Sequence, residues 1–154
     1  MLLHPDSTLL CVDNWDTRNY AEETGSYPET MTEVLRSGVA LERWRRNVGL
    51  APHGEKVVGL KSTDSVTALH ALLKRRGPES FDLVYVDGGH SAAEVFADAV
   101  LALKLLKVGG VLIFDDFGRG TSPCGRGILA FVTAFEDKLT LVRQNYRIFL
   151  VKDR

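Results

Sequence analysis

The sequence predicts a doubly wound α/β fold, with a mostly parallel sheet and an antiparallel hairpin at its C-terminal end. Two observations carry this prediction. Short apolar runs alternate along the chain with longer amphipathic segments, which is typical of strands that alternate with helices. The last two apolar runs, residues 139–142 and 146–151, are separated by a short polar stretch that fits a hairpin.

The first half of the chain predicts two strands, the first of them buried, with a helix between them. The strands are residues 8–12, followed by Asp13, and residues 56–60. Apolar residues at helical spacing mark the helix: Met31, Val34, Leu35, Leu41, Trp44 and Val48. Either Asp64 or Ser65 is the expected N-cap of a second helix.

The second half predicts further strands and helices in alternation. Residues 81–86 form a strand, and Ser91 with Glu94 has the spacing of a capping box that opens a helix. Gly109 and Gly110 are expected to end this helix before a strand over residues 111–114. A glycine-rich loop, residues 118–127, leads to a last helix marked by Ile128, Phe131, Val132 and Phe135.

Composition and charge exclude several classes of protein. With 154 residues, of which 45% are hydrophobic and 25% charged, the chain fits one globular domain over residues 1–154. A net charge of -1 gives no reason to expect a nucleic-acid partner. No apolar run reaches the roughly 18 residues of a membrane span. Cys11 and Cys124 match no metal or redox spacing, and no signal-peptide pattern is visible, so we expect a cytoplasmic protein.

Carboxylates follow three predicted strands, at Asp13, at Asp87 and at the pair Asp115 and Asp116. A single Asp at a strand end is equally compatible with a solvated turn, but three on one rim favour a ligand site. Carboxylate oxygens suit Mg²⁺ or Ca²⁺. Asp115 and Asp116 can share an ion only if the chain leaves the sheet there, because neighbouring strand residues point to opposite faces. His90 is either a general base or a residue bonded to the backbone before the helix.

Two blocks of sequence resemble class I S-adenosylmethionine-dependent methyltransferases. Residues 81–91 contain Asp87-Gly88-Gly89-His90, residues 105–117 end in Asp115-Asp116-Phe117, and Asp98 lies between them. The blocks are most similar to the O-methyltransferase branch with Asp-Gly-x-His and Asp-Asp-Phe motifs. The resemblance implies a Rossmann-like fold, S-adenosylmethionine as cofactor and a small-molecule methyl acceptor.

The resemblance also assigns cofactor contacts by position. It implies that Asp13 binds the ribose hydroxyls, whose hydrogens a carboxylate can accept. It implies that Asn14 and Trp15 border the adenosine, and that Asp64 or Ser65 lies near the adenine.

The resemblance further implies a reactive end of the site. Asp87 would face the methionine end of the cofactor and the acceptor, and Asp87, Asp115 and Asp116 would hold Mg²⁺, as in metal-dependent relatives. The ion would orient an acceptor hydroxyl and lower its pKa. Gly89 stands where some relatives have an Asp base, so either His90 takes that role or no residue does.

The sequence departs from the family before Asp13, where the first strand, its helix and the Gly-rich turn have no counterpart. In the family this strand lies inside the sheet, so we expect open strand edges, which a homo-oligomer would cover. Other outcomes stay open: the sheet closes the gap directly, borrows a strand from a partner or stays marginally stable, or the sequence is a fragment or has a mispredicted start. Two alternative functions also stay open: a non-catalytic, oligomerising or binding protein with a methyltransferase fold, and a metal-dependent hydrolase that uses His90.

Overall fold

The computed structural model describes residues 6–15 and 39–154, which form two compact units that divide after Asp64. The first unit contains strand β1 (Leu9–Asp13), helix α1 (Ala40–Leu50) and strand β2 (Val57–Lys61). β1 and β2 pair in parallel along their whole length. The predicted first helix is confirmed from Ala40 onwards, and its predicted residues 31–38 lie outside the described residues.

Two tryptophans pack together in this first unit. The ring centroids of Trp15 and Trp44 are 5.2 Å apart, and the rings are tilted by 55°. A Cβ atom on Gly59 would lie 2.6 Å from the Trp44 ring, so only glycine fits beside this pair. None of the described residues of the first unit is fully buried, however, which makes the tryptophan pair the main apolar contact we find there.

The second unit is an α/β sandwich with a mixed sheet. Its elements are α2 (Ser65–Arg76), β3 (Phe81–Val86), α3 (Ala92–Leu105), β4 (Leu106–Phe114), α4 (Pro123–Ala134), β5 (Leu139–Gln144) and β6 (Ile148–Lys152). The strand order is β3-β4-β6-β5, with β3 parallel to β4 and β6 antiparallel to both of its neighbours. The predicted C-terminal hairpin is therefore confirmed. The described strands form two sheets rather than the one predicted. β1 pairs only with β2, and the other four strands form the second sheet.

One face of the four-stranded sheet carries the core. Alternate residues of its strands point to this face, and helices α3 and α4 cover it. Its largest fully buried members include Leu106, Leu112, Phe114, Ile128, Phe131 and Leu150. Among the described helices, none is long and apolar enough to cross a membrane.

The boundary between α3 and β4 differs from the prediction. Gly109 and Gly110 do not end the helix, since α3 passes directly into β4 and both glycines lie in the strand. Leu106 pairs with Phe81. The buried Nζ of Lys152 donates to the carbonyl oxygen of Leu106 at 2.8 Å and to that of Leu103 at 3.3 Å. The strand pairing and the buried lysine thus provide hydrogen-bond partners for backbone groups at the helix end, where a glycine cap was expected.

The predicted loop over residues 118–127 is partly helical, because α4 begins within it. The Ser122 hydroxyl accepts a hydrogen bond from the Gly125 backbone N–H at 2.9 Å, and a proline follows the cap. A Cβ atom on Gly127 would lie 2.5 Å from the backbone oxygen of Ala92. Gly127 therefore lets α4 pack closely against the start of α3.

Candidate active site

β3 and β4 end side by side and bring carboxylates to one edge of their sheet. Asp87 follows Val86, Asp115 follows Phe114, and Val86 lies opposite Phe114 in the parallel register. The Asp115 backbone N–H donates to the carbonyl oxygen of Val86 at 3.1 Å, which ties the two strand ends together. The chain then turns sharply, since Asp116 has a φ of 51°, in the left-handed region that residues other than glycine rarely adopt.

Asp87, His90 and Asp116 come together as a cluster of possible metal ligands. Their ligand atoms all lie within 4.8 Å of one another. His90 Nε2 is 3.3 Å from Asp116 Oδ2, and the His90 side chain is about half exposed at 47%. The structure thus places the His90 imidazole beside the carboxylates of Asp87 and Asp116, just before α3.

Asp115 is held by other partners. Its Oδ2 accepts a hydrogen bond from the Tyr85 hydroxyl and another, at 3.1 Å, from Arg147 Nε. Its Oδ1 accepts the backbone N–H of Asp116 at 2.9 Å. The expected metal set of Asp87, Asp115 and Asp116 is therefore divided in this conformation: Asp116 faces Asp87, while Asp115 is bound to an arginine and a tyrosine.

These contacts shift the pKa values of Asp87 and Asp115 in opposite directions. Burial raises the pKa of Asp87, and the neighbouring Asp115 and Asp116 carboxylates raise it further. Burial also raises the pKa of Asp115, but hydrogen bonds from Tyr85, from the Asp116 backbone and from Arg147 outweigh it, so the net shift is downward. Asp115 is therefore better stabilised as an anion than Asp87, which takes up a proton more readily.

The turn between β5 and β6 reaches this cluster. The Tyr146 hydroxyl donates to Asp116 Oδ1, and this hydrogen bond raises the pKa of Tyr146 to about 12. The Tyr146 carbonyl oxygen accepts the Phe117 backbone N–H at 3.0 Å. The sequence predicted Tyr85 in one strand, and Tyr146 and Arg147 in another directly after a turn, but assigned none of the three to the site. No local spacing could have revealed them, since the hydrogen-bonded side chains are 30 to 62 residues apart.

A small cleft opens beside the cluster. Its floor is apolar and includes Val86, Val95, Phe114 and Cys124, and its volume is about 210 Å³ including the open mouth. Burial raises the pKa of the Cys124 thiol, and the nearby aspartates raise it further, so this thiol stays protonated. Small-molecule pockets usually exceed about 300 Å³, so this cleft alone does not enclose a whole ligand.

The remaining predicted residues lie at the strand ends of the first unit and at its boundary. Asp13 is the last residue of β1, and its Oδ1 accepts the backbone N–H of Trp15 at 2.6 Å across Asn14. Asp64 accepts a hydrogen bond from the Thr63 hydroxyl at 3.1 Å and is the last residue of the first unit. Ser65 is the first residue of α2.

Three comparisons bear on these sites. A family model described as a methyltransferase domain matches residues 2–117. The O-methyltransferase NovP superposes with a TM-score of 0.61 at 18% sequence identity, over 97% of this chain and 61% of that chain. An O-methyltransferase from Bacillus cereus in complex with SAH superposes with a TM-score of 0.59 at 17% identity, over 98% of this chain and 65% of that chain.

A third solved structure includes a metal ion. MycE methyltransferase from the mycinamycin biosynthetic pathway, in complex with Mg and SAH, superposes with a TM-score of 0.53 at 18% identity, over 64% of this chain and 32% of that chain. The chain thus spans less than two thirds of each of these solved chains. A comparison with curated proteins gives no match. The similarities confirm the predicted Rossmann-like α/β fold.

Proposed function

Because the chain belongs to the methyltransferase-domain family, we propose that it binds S-adenosylmethionine and methylates a hydroxyl group of a small molecule with the help of a divalent cation. The observation that carries this proposal is the cluster of Asp87, His90 and Asp116 at the ends of two parallel strands, where open α/β sheets bind ligands. The SAH bound to the Bacillus cereus enzyme, and the Mg and SAH bound to MycE, support both ligands.

The donor groups fit a divalent cation. Asp87 and Asp116 offer carboxylate oxygens within 4.8 Å of each other, and Asp115 is the third carboxylate that we assign to the ion. Oxygen donors of this kind match the preference of Mg²⁺ and Mn²⁺. A cation held there would orient an acceptor hydroxyl and lower its pKa.

We assign the role of general base to His90. Its imidazole is half exposed at the start of α3, where an acceptor can reach it, and Asp116 lies close enough to orient it. An acidic residue at position 89 could not replace His90 as the base in this structure. A Cβ atom there would lie 2.7 Å from the Glu94 carboxylate that caps α3. A carboxylate at position 89 would meet both a steric and an electrostatic conflict. His90 is thus the base, while Asp87 faces the reacting groups.

The first unit and Ser65, the residue that follows it, supply the groups that we assign to the nucleoside. Asp13 would accept the ribose hydroxyls, Asn14 and Trp15 would border the adenosine, and Asp64 or Ser65 would lie near the adenine. In support, Asp13 ends a parallel strand and is exposed, so its carboxylate is accessible to a ligand. Trp15 adds an aromatic surface beside it.

Calorimetric titration of S-adenosylhomocysteine, the product of the donor, tests this function with and without Mg²⁺. We expect binding, and we expect Asp13→Asn to weaken it roughly 10- to 100-fold, because a hydrogen bond to a charged group contributes about 1.5–3 kcal/mol. Glu42→Gln removes an exposed carboxylate of α1 in the same unit and should leave the affinity unchanged. No binding to folded protein at millimolar ligand would refute the proposal.

A second candidate function, a non-catalytic protein that pairs with a copy of itself, is favoured by the edge of β3. Among the described strands β3 pairs with β4 alone, and its Leu83 and Tyr85 are 48% and 43% exposed. Unpaired strand edges promote association. If a second copy covers this edge, light scattering should show a dimer at micromolar concentration and Leu83→Lys should yield a monomer. Leu129→Lys, at a position of α4 that is 44% exposed, is the control. A wild-type monomer rules this function out.

A further inference from the structure

Arg147 is a cation built into the carboxylate cluster. Its Nε lies 3.1 Å from Asp115 Oδ2 and 3.0 Å from the Tyr85 hydroxyl oxygen, and that hydroxyl donates to the same Asp115 oxygen. With the Asp116 backbone N–H on Oδ1, both oxygens of Asp115 already accept hydrogen bonds. The two donors on Oδ2 occupy both of its lone pairs, so Asp115 can bind a metal ion through Oδ2 only after losing one of them.

The charges at this edge also set Arg147 against a bound cation. Asp87, Asp115 and Asp116 bring three negative charges to one edge of the sheet, and Arg147 compensates one of them. A divalent cation at this edge would be repelled by the guanidinium. It would also find Oδ2 of Asp115 already paired with Arg147. Both effects weaken its binding, because the Coulomb interaction between full charges a few ångströms apart is large at a partly screened site.

Arg147 is also free to leave. Its side chain is 50% exposed, so it can move into solvent without opening the core. The turn around it does not depend on the guanidinium, because the Asn145 backbone N–H donates to the Arg147 carbonyl oxygen at 2.9 Å. A change of this side chain therefore alters the charge at the cluster and leaves the hairpin backbone in place.

We propose that Arg147 competes with the divalent cation for Asp115 and thereby sets the cation affinity of the site. This inference rests on the proposed function, in which Asp115 is the third carboxylate of the ion. Arg147 is a positioning residue: it holds Oδ2 of Asp115 in the absence of the ion and must release it before that oxygen binds the ion.

Titration with Mn²⁺ tests the competition, with the free ion measured by electron paramagnetic resonance. Arg147→Gln should bind Mn²⁺ at least about 10-fold more tightly than the wild type, and Arg147→Lys, which keeps the charge, should stay within about threefold of it. Arg154→Gln removes another exposed arginine that pairs with an aspartate, Asp137, and should leave the affinity unchanged. Thermal unfolding in the presence of a chelator should show that the variants are folded.

The outcomes separate this inference from the function on which it rests. An Mn²⁺ affinity of Arg147→Gln that equals or falls below that of the wild type overturns the inference, and so does a lack of Mn²⁺ binding in both proteins. If S-adenosylhomocysteine still binds in that case, only the role of Arg147 is refuted. If S-adenosylhomocysteine does not bind, the proposed function itself fails.

Discussion

Asp116→Asn is expected to weaken Mn²⁺ binding at least about 100-fold. Asp116 carries the carboxylate that lies within 3.3 Å of His90 and close to Asp87, so it is central to the cluster. Changes of residues that only support a metal ligand usually cost about 10- to 100-fold in affinity, and the loss of a charged ligand should cost more. The measurement is the same Mn²⁺ titration by electron paramagnetic resonance.

The substitution is selective because asparagine keeps the shape of the side chain. Its amide oxygen can still accept the hydrogen bond from Tyr146, so the hairpin contact is retained. Asp82→Asn is the matched control: Asp82 lies on β3, is 86% exposed and pairs with Lys107 at 2.7 Å. An Asp116→Asn protein that binds Mn²⁺ within about threefold of the wild type would show that the ion binds elsewhere.

The largest loss of stability is expected for Phe131→Ala, at about 3–5 kcal/mol. Phe131 is completely buried, and its ring lies 5.6 Å from that of Phe114 and 5.0 Å from that of Phe135. Truncation removes these contacts and leaves a cavity between α4 and the sheet. Because a domain is stable by only about 5–15 kcal/mol, this one change leaves little margin.

Urea unfolding followed by circular dichroism measures this loss as a shift of the midpoint at a similar slope. Leu129→Ala is the control on the same helix, since Leu129 is 44% exposed, and it should cost about 1 kcal/mol or less. Equal costs for the two variants would mean that α4 does not pack as described. Phe114 directly precedes Asp115, so we also expect the loss of the Phe131 contact to loosen the carboxylate cluster.

The elements that the sequence predicted best are those determined by local interactions. The strand over residues 81–86 and the capping box of Ser91 and Glu94 are found as expected, because alternation and capping involve near neighbours. The end of α3 was predicted wrongly. Lys152, which donates to the Leu103 carbonyl group in the last turn of this helix, is 49 residues away along the chain, and no local pattern signals such a partner.

The candidate site likewise contains residues that local sequence could locate and contacts that it could not. Asp87 and Asp116 could be located from the sequence because they follow strands that pair in parallel, and His90 because it precedes a capped helix. The state of Asp115 could not be foreseen. It depends on Tyr85 and on Arg147, a residue of the hairpin turn, and the two meet only when the sheet has formed.

The uneven burial of the two units has a consequence for amide hydrogen exchange. The core of the second unit is continuous from Val95 to Leu150, whereas the described residues of the first unit include no buried side chain. Amides of β4 and β6 should therefore exchange only through global unfolding, and those of β1 and β2 through local opening at much lower free energy. Because Asp13 ends β1, a ligand that binds there should slow exchange in the first unit, and its observed affinity includes the free energy of suppressing that opening.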